Sequence, residues 1–264
     1  MQVIKQLLYV LTLILFITFV GCQKPNKEDA EWIQLFNGQD LDNWIAKIHH
    51  YETGDNFDST FRVKDDMIQV RYDNYGELND RFGHLFYKTP FSKYHLKLEY
   101  RFVGTPQPGT PEWAHFNSGV MFHAQDPASI LKEQDWPIAV EMQFLCSLGD
   151  GNPRPTGNMC SPGTDIHYRD SLYKDHCLYS TSKTYPPGEW VKAELIVYGD
   201  SLITHVINDD TVLQYTKPTM GGGVVSGYDP KVFVEGKPLT SGYIGLQSEG
   251  QPIDFRNIYL KELK

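Results

Sequence analysis

Asn117 and His123, in HFNSGVMFHAQ (residues 115–125), set an amide and an imidazole six positions apart. In a strand, side chains alternate between two faces, so both would share one face. Gly119 and Met121 would lie between them, where a core strand carries branched apolar residues. The same parity recurs elsewhere. In IAVEMQFLC, Glu141 and Gln143 oppose Val140, Met142, Phe144 and Cys146. In GYIGLQSEG, Gln247 and Glu249 oppose Ile244 and Leu246, and in YHLKLEYRF, Glu99 and Arg101 oppose Leu98, Tyr100 and Phe102. If these strands share a sheet, their polar sides form one surface. Amides and Arg hydrogen-bond hydroxyl groups, and an imidazole beside a carboxylate can move protons. A solvated antiparallel face is polar without any function. Gln and Asn at strand centres, together with Gly119 and Gly245, favour a groove instead, since strand Gly often marks close approach of a ligand.

The elements that would position these groups are short alternating runs between turn signals. Phe61–Val63 and Met67–Val70 flank Lys64-Asp65-Asp66 as a hairpin. Further expected strands are 94–102, 118–122, 138–145, 191–198, 202–207, 243–247 and 255–260, with a tight turn at Asn208-Asp209-Asp210. Pro127 to Gln134 is the one helix candidate, a turn or two long. Long connections fall at 103–116, 147–187 and 217–240, and loops of that length are usually functional or disordered. Such a chain is expected to be all-β, a two-sheet antiparallel sandwich of jelly-roll type.

The charge of −9 disfavours a nucleic-acid partner, which would need a basic face. Aromatics at 13% together with neutral hydrogen-bonding groups suit carbohydrate. At the N-terminus, Lys5 and the apolar run Leu7–Val20 read as a signal segment over 1–21, ending at Gly21-Cys22. Cys22 is the expected lipidation site, resembling a bacterial lipobox; an uncleaved anchor with an incidental Cys is the alternative. Residues 22–32 form a polar tether and 33–264 a single domain, held by lipid at the cell envelope on the periplasmic or outer-surface side. An oxidising compartment permits one bridge. Cys160 and Cys177, in loop-like sequence, are the expected pair, and Cys146, on an apolar strand side, the free thiol; three free thiols is the alternative. His167 and His176 fall inside that loop as metal ligands, lid residues or plain exposed histidines.

The ordered set LFNGQDLDNW, FRVKDDMIQV, YHLKLEYR, NSGVMF, VEMQF, PPGEW and GYIGLQSEGQPIDFRNIYLKEL resembles the 3-keto-disaccharide hydrolase domain family. The resemblance runs from about residue 33 to the C-terminus. It implies a sandwich of the concanavalin A-like lectin/glucanase type, and substrates already oxidised to a ketone at C3 of the sugar. The chain departs from the family at Cys146, where many members carry Asp, and at His123, where many carry Arg. A C3 ketone acidifies the C2 proton; its removal gives an enolate that expels the group on C1. Glu141 is the expected base and His123 the acid or proton shuttle. Asn117, Gln143 and Arg101 would bind hydroxyls or the enolate oxygen, and Gln247 and Glu249 would line the adjacent wall. A divalent cation held by His123 and Glu141 is a further option. The alternatives are a glycan-binding module without chemistry, or an ordinary glycosidase; 141-EMQFLC-146 lacks the further carboxylates the latter expects.

Overall fold

Two antiparallel sheets face each other across an apolar layer. The computed structural model describes residues 31–264, so the expected signal segment and Cys22 lie outside the described residues. The larger sheet contains β1 (Ile33–Gln34), β3 (Phe61–Lys64), β4 (Met67–Val70), β6 (Lys93–Phe102), β10 (Thr164–Tyr168) and β11 (Ser171–Tyr173). It is completed by β13 (Val191–Tyr198), β14 (Ile203–Ile207), β15 (Asp210–Met220) and β17 (Ile253–Glu262). Its order is β11-β10-β15-β14-β13-β6-β17-β4-β3, with β1 beside β17. The smaller sheet contains β2 (Trp44–Ile48), β5 (Gly83–Tyr87), β7 (Asn117–Ala124), β8 (Val140–Leu145), β9 (Asn158–Cys160), β12 (Cys177–Leu178) and β16 (Tyr243–Ser248). Its order is β12-β9-β8-β7-β16-β5-β2. The expected all-β two-sheet sandwich is therefore the observed fold, and Trp32–Lys264 form one unit.

Alternation builds the core. Leu96, Leu98, Tyr100 and Phe102 of β6 meet Val120, Phe122, Val140, Met142 and Phe144 of the smaller sheet. Tyr100 stacks on Phe144 with ring centroids 4.0 Å apart. Burying side chains of this size contributes roughly 1.5–3 kcal/mol each, so this seam fixes which face of each strand points inward. The helix candidate is one 3-10 turn, Pro127–Ser129, capped by the Asp126 side chain accepting from the Ala128 N–H. The connection 147–187 is not bare loop: it holds β9 to β12.

Two features break the expected common polar face. The first is that β6 lies in the larger sheet, so Glu99 and Arg101 decorate the opposite outer surface of the sandwich. Arg101 Nη2 donates to Asp254 Oδ2 at 2.8 Å and its guanidinium lies over Trp190, while Arg256 Nε donates to Glu99 Oε2 at 2.7 Å. The second is a bulge in β7. Gly245 pairs with Met121 and Tyr243 with Ala124, so three steps on β7 oppose two on β16. The extra residue shifts the alternation, and His123 takes φ +47°. His123 is 1% exposed, and its Nε2–H donates to the Gly199 carbonyl at 3.0 Å, in the turn between β13 and β14.

Candidate functional site

Glu141, Gln143 and Asn117 do come together, on the outer face of the smaller sheet. The β7–β8 register sets Met121 opposite Glu141, Gly119 opposite Gln143 and Asn117 opposite Leu145. Glu249 follows β16, which flanks β7 on its other side. These four polar residues, with Trp113, Trp136 and His176, line a cavity of about 450 Å³. That volume is within the ordinary range for small-molecule sites.

Gly119 has a specific role in this floor. A Cβ there would lie 2.4 Å from Glu141 Oε1 and 2.9 Å from its Cγ. The Glu141 side chain therefore lies across Gly119 and is directed back over β7, toward Glu249. Both carboxyl groups are buried, Glu141 at 6% exposure and Glu249 at 4%. Their environments differ. Glu249 Oε1 accepts from Gln247 Nε2 at 3.0 Å and from Trp136 Nε1 at 3.2 Å. Oε1 of Glu141 and Oε2 of Glu249 have no hydrogen-bond partner among the described residues. Burial raises Glu249 to about 7, against the help of the Trp136 hydrogen bond. Burial raises Glu141 well above the carboxylate range, and the neighbouring Glu249 charge raises it further. Both carboxyls are thus pushed toward the protonated form by burial, and each disfavours a second charge on the other.

Amides complete the site. Asn158 Nδ2 donates to Gln143 Oε1 at 3.0 Å, so Gln143 keeps its N–H donors for the cavity. Asn158 Oδ1 is itself fixed, accepting from the Ser180 N–H at 2.9 Å. Asn117 Oδ1 is buried and has no hydrogen-bond partner among the described residues. Gln247 is fully buried and supports Glu249 from behind rather than lining the cavity.

His123 and Arg101 are not brought to this cavity, for the two reasons above: a bulge turned one away and sheet membership placed the other outside. The expected cation ligands His123 and Glu141 are accordingly not a pair. Burial also lowers the His123 pKa, which disfavours a charged imidazole there. The site contains residues that parity did not select. Trp136 stacks on Phe82 with centroids 4.9 Å apart and stands beside Trp113, so aromatic rings wall one side. Two tryptophans within two residues of a proline, in PEW and DWP, were a usable signal. Cys160 and Cys177 are disulfide-bonded and Cys146 is a buried free thiol, as expected. The bridge lies beside the site, because Cys160 pairs with Glu141 across β8 and β9. It brings His176 to the rim, where partial burial lowers the imidazole pKa although much of its surface stays open.

A β-sandwich bearing a buried carboxyl pair under an aromatic wall defines the class of this protein more narrowly than its fold does. The chain belongs to the family described as the 3-keto-alpha-glucoside-1,2-lyase-like domain, whose pattern matches residues 31–261. It is 25% identical over 257 residues to a "3-keto-disaccharide hydrolase" of Bacteroides thetaiotaomicron, covering 91% of this chain and 81% of that protein. Among solved structures it is similar to two proteins of Parabacteroides distasonis, each called a "putative glycosyl hydrolase". One gives a TM-score of 0.54 at 18% identity, covering 88% of this chain and 94% of the other. The second gives 0.53 at 20% identity, covering 88% and 100%. These structural likenesses bear on the fold alone.

Proposed function

We propose that this chain cleaves 3-keto-glucosides by eliminating the group on C1, with the Glu141–Glu249 pair as its acid and base. The observation that carries the reading is the pair itself: two buried carboxyl groups in unequal surroundings, at the floor of a sugar-sized cavity. Glu249, held by two N–H donors, is the member better stabilised as carboxylate and takes the C2 proton. Glu141, which has no donor at Oε1, keeps its proton and delivers it to the glycosidic oxygen. The C2–H electrons form the C2–C3 enolate, the enolate collapses to a C1–C2 double bond, and the C1–O bond breaks. The products are a 2-hydroxy-3-keto-glycal and a free alcohol. Water added across that double bond gives the 3-keto sugar, so lyase and hydrolase outcomes differ only in this last step. Gln143 N–H groups and the Asn117 amide supply hydrogen bonds for the sugar and its enolate oxygen. This assignment moves Glu141 from the base expected from sequence to the acid, and leaves His123 and Arg101 outside the chemistry.

The test is product analysis by mass spectrometry after mixing purified protein with phenyl glucoside and phenyl 3-keto-glucoside. Turnover of the keto substrate alone is expected, lost in Glu141→Gln and in Glu249→Gln. Equal turnover of the unoxidised glucoside, or full activity in both variants, would sink the reading. A second reading rests on the buried oxygens of Asn117, Glu141 and Glu249, which line the cavity and have no partner among the described residues. Carboxylate and amide oxygens are the donors that hard divalent cations take. Activity abolished by a chelator and restored by magnesium or calcium would favour a cation over direct proton transfer.

A further inference from the structure

A second cavity, of about 330 Å³, adjoins the first and shares Trp113, Gln143 and Cys177 with it. We propose that it is a leaving-group subsite that binds a sugar carrying a carboxylate. This rests on the preceding reading in one respect: the keto sugar occupies the Glu141–Glu249 cavity, so the group leaving C1 passes over Gln143 into the second.

Arg154 supplies the charge. Its Nη1 donates to the Phe116 carbonyl at 3.0 Å and the Cys146 carbonyl at 2.8 Å, and its backbone N–H donates to Thr184 Oγ1 at 2.6 Å. One nitrogen is therefore pinned to the wall, and Pro153 and Pro155 restrict the backbone on either side. The remaining edge of the guanidinium has no side-chain partner among the described residues. None of the ion pairs among the described residues involves Arg154, although Arg62, Arg71, Arg101 and Arg256 each hold a carboxylate. Asp150, the acidic side chain that influences it, is engaged by the Asn152 backbone and amide. An unpaired, half-buried guanidinium on a chain of net charge −9 is a local positive spot. Its planar fork matches a carboxylate better than a neutral hydroxyl.

The rest of the cavity suits a sugar ring. Trp113 is 55% exposed and Tyr179 69% exposed, both large aromatic surfaces left open beside Leu145 and two prolines. Two exposed rings lining one cavity form an aromatic surface of the kind that marks a binding site, and it suits stacking on the apolar face of a pyranose. Gln143 lies at the seam, able to reach both rings.

Two measurements test the proposal. Calorimetry would titrate the full domain with glucuronate and with glucose. Glucuronate is expected to bind at least about tenfold more tightly, with the advantage reduced by 0.5 M salt and by Arg154→Met, and partly kept in Arg154→Lys. Equal binding of the two sugars, absence of glucuronate binding, or glucuronate binding indifferent to Arg154→Met in a variant that melts like wild type would overturn it. Kinetics would compare 3-keto-glucosides whose leaving group is glucuronate or glucose. The kcat/KM ratio should favour glucuronate by about tenfold and fall toward one in Arg154→Met. Failure to turn over any keto substrate would refute the proposed reaction, while calorimetry would still decide the subsite.

Discussion

Replacing Glu249 by Gln isolates the cost of burying its charge. Gln keeps Oε1 as acceptor for Gln247 Nε2 and Trp136 Nε1, and removes only the ionisable oxygen. Glu249 is raised by burial from 4.5 to about 7. In the unfolded chain the carboxyl loses its proton near its ordinary value; in the folded chain it keeps it to about 7. Between those values the folded state binds more protons, so stability falls as pH rises. This contribution is whole below about 4.5 and is lost as pH climbs through 7. At about 1.36 kcal/mol for each decade, the loss is about 3 kcal/mol. Glu141 changes with the same sign, since removing the neighbouring charge relieves part of its own rise. Urea denaturation followed by tryptophan fluorescence, from pH 4.5 to 8, would compare wild type with Glu249→Gln. The variant should gain on wild type by about 3 kcal/mol across that range while losing turnover of the keto substrate. A stability difference that stays constant with pH would refute the claim that Glu249 is buried with a raised pKa.

Other substitutions probe the parts that hold the pair. Gly119→Ala would force Glu141 off its path, costing about 1–3 kcal/mol by overpacking and lowering kcat; denaturation midpoint and turnover read both. Trp136→Phe removes one donor to Glu249, so the ascending limb of the kcat/KM–pH profile should move to higher pH. Joint replacement of Cys160 and Cys177 by Ser opens a bridge spanning 17 residues, an expected loss of about 3 kcal/mol in the melt, with reduced turnover as β12 loosens. His123→Asn should destabilise the fold by about 1–3 kcal/mol through the lost bond to Gly199, yet leave kcat per folded molecule unchanged.

What the sequence determined by itself was mostly local. Alternation in 94–102, 138–145 and 243–247 marked strands and the inward side of each, because apolar residues at every second position can be buried in only one way. The ordered motifs gave the family. Parity also brought Asn117, Glu141 and Gln143 onto one face, since adjacent hydrogen-bonded strands keep it in register. Which strands are neighbours was a different matter. Both sheets have polar outer faces, so parity could not distinguish Arg101 on β6 from Glu141 on β8; sheet membership did. One extra residue in β7 was enough to move His123 from groove to interior, and a bulge leaves little trace in a pattern read two residues at a time. The unequal surroundings of Glu141 and Glu249 also arise only in three dimensions. The donors on Glu249 come from β16 and from the Trp136 loop, 113 residues away, and desolvation exists only once the walls have closed. Residue types are chosen by the chain, but the proton affinity that would let them act is set by neighbours the chain brings from afar.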